Sequence, residues 1–351
     1  MRGESSRLAY AVPWAKRLLV EEFGVPIERV VVTICDADSR LHPKYLSALG
    51  YQYLTRPHGE RCLYQGAVLF HANLSRLAGV FRALNGLYSA MLLARLPRKH
   101  TLVTQSTYSL GLAAAARVNY WDVDVIAEDS HMFFKVFFGL GPGVTVHPIY
   151  LPVWADAAEG RDHWATLLAH YRQARRWAWG VSDVPYVLWQ TLQQRRIPAW
   201  LRAVRAGHYI QEHLLWATHW FVLVGGLKFL PWAAPLYADS AQAAILGQAA
   251  STVLMACLPC LFVVLWVDQR VRRHHAPRAA PPAAPATAPL DLVHWLAIPL
   301  SALAASVMPA VDAHTRLLLG RGLEYQVTEK VAAVRATSSR TSAARGGVPR
   351  G

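Results

Sequence analysis

Two long apolar runs, residues 214–236 and 242–267, constrain this chain more than any other feature of its sequence. As helices, each is long enough to cross a hydrocarbon layer of roughly 30 Å. The first is interrupted only by Lys228 and Pro231. The link between the runs carries Asp239 and no Lys or Arg; Arg202 and Arg205 precede the pair, and Arg270, Arg272 and Arg273 follow it. The positive-inside rule then predicts two transmembrane helices, with both outer flanks in the cytoplasm and Asp239 outside. The lipid bilayer is the first partner this pattern implies.

Composition agrees with that reading. Hydrophobic residues make up 54% of the chain and Trp occurs 13 times, above ordinary soluble usage. A formal charge of +14 suits nucleic acid, an anionic membrane surface or phosphorylated substrates. Because the cations flank apolar runs and form no single stripe, no nucleic acid partner is expected. The four cysteines, Cys35, Cys62, Cys257 and Cys260, make no disulfide framework. Cys257 and Cys260 have CxxC spacing inside an apolar run, where helix packing is the better reading than a redox or metal site. The opening MRGESSRLAYAVPW lacks the continuous apolar core of a secretory signal.

Upstream of the apolar runs the pattern is α/β. Residues 5–23 have helical apolar spacing, ended by Gly24, Val25 and Pro26. VVVTI, residues 30–34, reads as a buried strand running into Asp36 and Asp38, and VDVIAED, residues 123–129, as a second strand feeding Glu128 and Asp129. Ligands of open α/β sheets bind at the carboxyl ends of strands, which is where these acids fall. The predicted organisation is a catalytic-type α/β domain over 1–160, interfacial amphipathic helices over 161–210, and two transmembrane helices over 211–268. A Pro/Ala-rich cytoplasmic linker over 269–289, an interfacial or re-entrant segment with a loop over 290–330, and a disordered basic tail over 331–351 complete it. Residues 290–311, broken by Pro299 and Pro309, are too short to cross a bilayer twice.

Four motifs carry candidate chemistry. In CDADSR, Asp36 and Asp38 sit two apart, so an extended chain presents both carboxylates to one face. Hard oxygen ligands of this kind suit Mg²⁺ or Mn²⁺ bound to a diphosphate, and two solvated acids in a turn is the alternative. In AEDSHMFFK, one of the adjacent acids Glu128 and Asp129 can serve as a general base; helix capping by Asp129 is the plainer reading. His131 belongs on the helix surface. In QARRWAWG, Gln173, Arg176 and Trp177 share a helix face. Arg175 and Trp179 read as membrane-surface anchors. In YQVTEK, residues 325–330, Thr328 and Lys330 can contact phosphate oxygens or simply form a polar loop.

The ordered series DxD, ED, QxxRW and aromatic-x-VTxK, interleaved with apolar helices, resembles the membrane-integrated family 2 glycosyltransferases, the cellulose, chitin and hyaluronan synthases among them. The resemblance spans Val30 to Lys330. It implies a nucleotide-sugar-binding α/β domain of GT-A type, followed by interfacial and transmembrane α-helices. It implies a nucleotide-sugar donor, a saccharide or lipid-linked acceptor, and transfer with inversion. Asp36 and Asp38 would hold the donor diphosphate through Mg²⁺ or Mn²⁺, with Asp38 the better metal ligand. Asp129, beside Glu128, would be the catalytic base. Gln173 and Arg176 would face the diphosphate and Trp177 the acceptor sugar, while Tyr325, Val327, Thr328 and Lys330 match a gating loop, with Tyr where Phe is usual. Ser106, Thr107 and Tyr108 stand where these enzymes have an acceptor-side segment; a buried helix start is the alternative there. Family members carry earlier nucleoside-binding strands that are not found ahead of Asp36, so an N-terminally shortened chain is expected. A non-catalytic or decayed truncated membrane protein of the same family is the alternative.

Overall fold

A computed structural model describes residues 3–275 and 293–323 of the chain. The predicted first helix is present as α1 (Glu4–Lys16), which continues through a wide π turn, Arg17–Glu22. It stops at Gly24, whose φ of 68° suits a residue without a Cβ. The apolar run 30–34 forms β1 (Val31–Ile34) as expected. There follow β2 (Arg40–Leu41), α2 (Tyr45–Thr55), β3 (Leu63–Leu69), α3 (Gly79–Arg95) and β4 (Tyr108–Gly111). Then come α4 (Leu112–Arg117), α5 (Glu128–Leu140) and β5 (Val146–Trp154).

The five strands make one mixed sheet in the order β1-β4-β3-β5-β2. β3 runs parallel to β5 and antiparallel to β4, and β1 and β2 pair antiparallel at the two ends. Every residue of β3 is buried, as a central strand covered on both faces requires. At its bulge, a side chain on Gly66 would meet Val153 Cγ2 at 2.8 Å and the Tyr45 ring at 3.1 Å, so only glycine fits. α5 buries Phe133, Phe134, Phe137 and Phe138 against the β1–β4 side of the sheet. Each such ring contributes about 2 kcal/mol by leaving water, which ties the body of α5 to the sheet.

One expected strand is absent. Residues 123–127 form an irregular turn, and α5 begins directly at Glu128. The VDVIA stretch, residues 123–127, has apolar residues of strand type, but both edges of β4 are already paired, with β1 and β3. It pairs with none of the five strands; the backbone turns instead, and Val123 is left exposed.

The second half is helical: α6 (His163–Ala178), a 3₁₀ turn over Trp179–Asp183, α7 (Val184–Gln193) and α8 (Ala199–Trp220). The first apolar run begins within α8 and is not wound as one regular α-helix. α8 carries it to Trp220 and a π-wound stretch, Phe221–Phe229, follows. The chain then breaks at Ala234, between α9 (Leu230–Ala233) and α10 (Pro235–Ala238). Pro231 and Pro235 supply no backbone N–H to a continuous helix. The second run is α11 (Ala241–His275). Among the described residues, Ala241–His274 is the one helix long and apolar enough to cross a membrane, with mean hydropathy 2.3.

Arg205, expected as a charged membrane flank, is instead 3% exposed inside the core. Its guanidinium lies 4.0 Å from the centre of the Phe137 ring and donates to the Val144 carbonyl at 3.0 Å. Burial pulls its pKa down to about 10. The segment after residue 292 returns to the globular part as α12 (Ile298–Ala302), a π turn and α13 (Met308–Leu318). Its buried Ala310 and Ala313 pack beside Ala178, Trp179 and Ala217.

Candidate active site

The pairing of β1 with β4 builds the first part of the site. Its register matches Ile34 with Tyr108, and two residues further on Asp36 lies opposite Ser106. There the Ser106 hydroxyl donates to Asp36 Oδ2 at 2.8 Å, and the Ser106 backbone N–H donates to Asp129 Oδ2 at 2.9 Å. One residue thus joins the two acids that sequence spacing keeps far apart. Ser106 has a φ of 53°, a left-handed conformation that other bonds must hold. Those bonds come from Gln65, 4% exposed on β3, whose amide accepts from Gln105 N at 2.8 Å and donates to the Gln105 and Thr107 carbonyls at 3.0 and 3.2 Å. The Thr104 hydroxyl adds a bond to the Asp129 carbonyl at 2.7 Å. Gln65 was not legible as a site residue; a lone amide in an otherwise apolar strand was the available signal.

Asp129 stands in the first turn of α5, where the helix dipole favours a carboxylate. Its other oxygen accepts from Ser130 N at 2.7 Å. Burial raises its pKa, the two backbone N–H groups and Arg176 oppose that, and Asp36 adds to it; the carboxyl ends above its ordinary range. Glu128 is pushed well above its ordinary range by burial, then by the charges of Asp129 and of Glu4 on α1. Glu4 is itself raised, by burial first and then by Asp36. Four acids therefore share one region with Arg176, whose charge lowers both Asp129 and Glu4. Glu4 was missed in the sequence because nothing local ties α1 to the later acids.

The helix with QxxRW starts where Asp162 accepts from Ala165 N at 2.7 Å, an ordinary N-cap. Gln173 is 7% exposed. Trp177 lies between Phe70, ring centres 5.6 Å apart, and Tyr88, edge-on at 5.9 Å. The two expected membrane anchors have other work. Trp179 is buried with Ala310 and Ala313, and Arg175 Nη1 binds Asp312 Oδ2 at 2.9 Å. Packing against α13 claims the side of α6 assigned to lipid. His131, expected on a helix surface, is 8% exposed.

Asp38 diverges from Asp36. Ala37 and Asp38 form a turn, so the extended-chain argument for a shared face fails. Asp38 Oδ2 accepts from Asp156 N at 3.2 Å. Among the described residues, no three His, Cys, Asp or Glu side chains converge as a metal cage. One or two carboxylates with phosphate oxygens and water are what Mg²⁺ ordinarily takes, so this donor set fits a substrate-bridged ion and not a protein-enclosed one. Thr107 and Tyr108 have no exposed surface. Tyr108 opens β4 and accepts from Trp121 Nε1 at 2.9 Å, with Thr107 in the bend just ahead of it, so these two support the core beneath the site and form no helix start. Ser106 alone of the three reaches the acids. Tyr325, Val327, Thr328 and Lys330 lie outside the described residues.

A protein-family model described as Glycosyl transferase family group 2 matches residues 31–267, more than half of the chain. The chain belongs to this family. No curated protein matches it. As a family 2 glycosyltransferase it is a transferase whose substrates are a nucleotide-sugar donor and an acceptor. The matched stretch opens with β1 and takes in Asp36, Asp38, Glu128, Asp129 and the QxxRW helix. In this glycosyltransferase, residues from three separate stretches, Asp36, Asp129 and Arg176, meet around Ser106 and the start of α5.

Proposed function

We propose that the chain is an inverting glycosyltransferase of the membrane-integrated branch. It moves a hexosyl group from a nucleotide sugar to a hydroxyl of a saccharide or lipid-linked acceptor, with polysaccharide synthesis as its setting. The observation that carries this reading is the state of Asp129: a partly buried carboxylate of raised pKa, fixed by two backbone N–H bonds beside Asp36 and Arg176. A carboxylate of raised basicity suits proton removal from an alcohol.

Asp129 takes the proton of the acceptor hydroxyl as its oxygen attacks the anomeric carbon. The bond from that carbon to the diphosphate breaks, and Arg176 meets the charge gathering on the leaving group. Gln173 lies on the same face one turn earlier and orients the diphosphate. Trp177, steadied by Phe70 and Tyr88, offers its free side to the acceptor ring. Mg²⁺ or Mn²⁺, bound by Asp38 and Asp36, would supply charge neutralisation at the diphosphate.

Asp129→Asn keeps the shape and removes the base. Turnover should fall on the order of 10²- to 10⁴-fold while the affinity for UDP or GDP is retained. Undiminished turnover in this variant removes the catalytic reading, and an absence of metal-dependent UDP or GDP affinity in the parent favours the non-catalytic alternative. The proposed location is the cell membrane, multi-pass, with the catalytic domain cytoplasmic. The helix Ala241–His274 supports the membrane location, as do the exposed Trp189, Leu192 and Trp200 on α7 and α8. Release from membranes by alkaline carbonate is the result that would count against it.

A further inference from the structure

The buried charges beside the base have no part in the chemistry above. His131 lies half a turn beyond Asp129 on α5, and both of its ring nitrogens meet carboxylates: Nδ1 is 3.0 Å from Asp183 Oδ1 and Nε2 is 2.9 Å from Asp122 Oδ2. An ionised carboxylate only accepts hydrogen bonds, so two such partners require a proton on each nitrogen. With both carboxylates ionised, the ring is an imidazolium. Asp122 also accepts from Lys135 Nζ at 2.7 Å, and the Tyr186 ring stands 4.8 Å from His131. These four side chains, Asp122, Asp183, Lys135 and Tyr186, are the titratable groups that face it.

The partners lie on both sides of the site. Asp122 lies just ahead of the irregular turn that replaces the expected strand, and its carbonyl accepts from Ser5 of α1. Asp183, 5% exposed, ends the 3₁₀ turn that follows Gln173, Arg176 and Trp177. A second connection runs alongside: Tyr209 of α8 donates to the Gly180 carbonyl at 2.8 Å and its hydroxyl is 3.3 Å from the Ser130 hydroxyl. Nothing else polar among the described contacts joins the start of α5 to this turn. Helix ends tied in this way resist sliding past each other.

We propose that His131 is a positioning residue: held between Asp122 and Asp183, it fixes the start of α5, and Asp129 with it, against the turn that follows Arg176 and Trp177. The proposal rests on the reading of Asp129 as the base. Burial lowers the pKa of His131, but the bonds and charges of Asp183 and Asp122 outweigh it and leave the imidazolium favoured. Asp122 is correspondingly held below its ordinary range: burial opposes this, and Lys135 and His131 prevail. Asp183 is pushed up by burial, with His131 pulling the other way. A raised histidine keeps its proton at low pH and loses it as pH rises through the raised value. The brace therefore fails on the alkaline side.

The test uses the full-length protein in lipid nanodiscs. UDP and GDP with Mn²⁺ are the binding probes, and turnover is read on whichever of a panel of UDP- and GDP-hexoses the parent consumes. In His131→Gln, kcat should fall on the order of 10- to 100-fold, the loss expected of a base displaced by about 1 Å. Nucleoside diphosphate affinity should stay within about threefold. Asp122→Asn is the milder variant, since this side chain is 42% exposed. It should leave the fold intact and move the alkaline limb of the kcat profile roughly one pH unit lower, because a carboxylate that favours the imidazolium is gone. Parent-like kcat in His131→Gln overturns the proposal, as does an alkaline limb that stays in place in Asp122→Asn. If His131→Gln fails to bind nucleotide at all, the Asp122→Asn profile decides alone. Asp129→Asn in the same assay separates the two readings: turnover retained there removes the base, whereas its loss beside an unaffected His131→Gln removes only the brace.

Discussion

Ser106 donates its backbone N–H to Asp129 Oδ2 across 2.9 Å, from a backbone whose φ is 53°. A left-handed serine costs of order 1 kcal/mol or more, and it persists only where surrounding bonds over-determine it. Here the surroundings are Gln65 and Asp36, which hold the segment from two sides. The strained residue thus points one donor at each of two acids drawn from different strand–helix units.

Removing the hydroxyl separates these two duties. Ser106→Ala keeps the N–H for Asp129 and frees Asp36. Turnover should fall by less than tenfold, in line with a hydrogen bond of about 1 kcal/mol, and Asp129→Asn should be far more severe. Ser106→Gly relieves the backbone as well, so its melting temperature should exceed that of Ser106→Ala. The reverse order of melting temperatures would show that φ at 106 is unstrained.

The acid limb of kcat/KM should follow the charges around Asp129. Its pKa is above the ordinary range through burial, with Asp36 adding and Arg176 subtracting. Asp36→Asn should therefore move the limb to lower pH and Arg176→Gln to higher pH, whatever each does to the maximal rate. Opposite shifts in the two variants are the discriminating result; a common shift would mean that another group controls the limb.

Glu128 gives a stability prediction of fixed sign. Its folded pKa is raised, so its stabilising protonation is fully present below about pH 4 and is lost as pH rises through the folded value. Above that pH the buried acid costs the fold stability. Glu128→Gln should melt higher than the parent at pH 7 to 8, and the gap should close in acid. Thermal melts across that range, in one detergent, read it directly.

Asp312 behaves in the opposite sense. Burial raises its pKa, but Arg175 and Arg316 prevail and hold it below the ordinary range, so its contribution is present above about pH 4 and fades as pH falls through the lowered value. Asp312→Ala releases Arg175 and the Tyr171 hydroxyl from α13. A loss of about 1–3 kcal/mol is expected near neutral pH, since the hydrogen bonds are charge-assisted and partly buried. Because Arg175 adjoins Arg176, turnover should fall with it. Normal stability in Asp312→Ala would show that α13 does not brace this helix.

Local pattern alone determined several parts of this protein. VVVTI as a strand, the helix before Gly24, the helix carrying Gln173, Arg176 and Trp177, and the long apolar α11 follow from period, caps and hydropathy, which act within a few turns of chain. Tertiary structure decided the rest. VDVIA looks like a strand by residue type, yet it pairs with no strand of the sheet and turns directly into α5. Arg205, Arg175 and Trp179 look like membrane-facing residues by type, yet Phe137, Asp312 and Ala310 claim them. His131 between two carboxylates, Glu4 among the site acids and Gln65 behind Ser106 join positions far apart in the chain. A sequence states which side chains can ionise or donate. Which of them meet, and so what their charges do to one another, depends on distances that only the packed sheet and helices set.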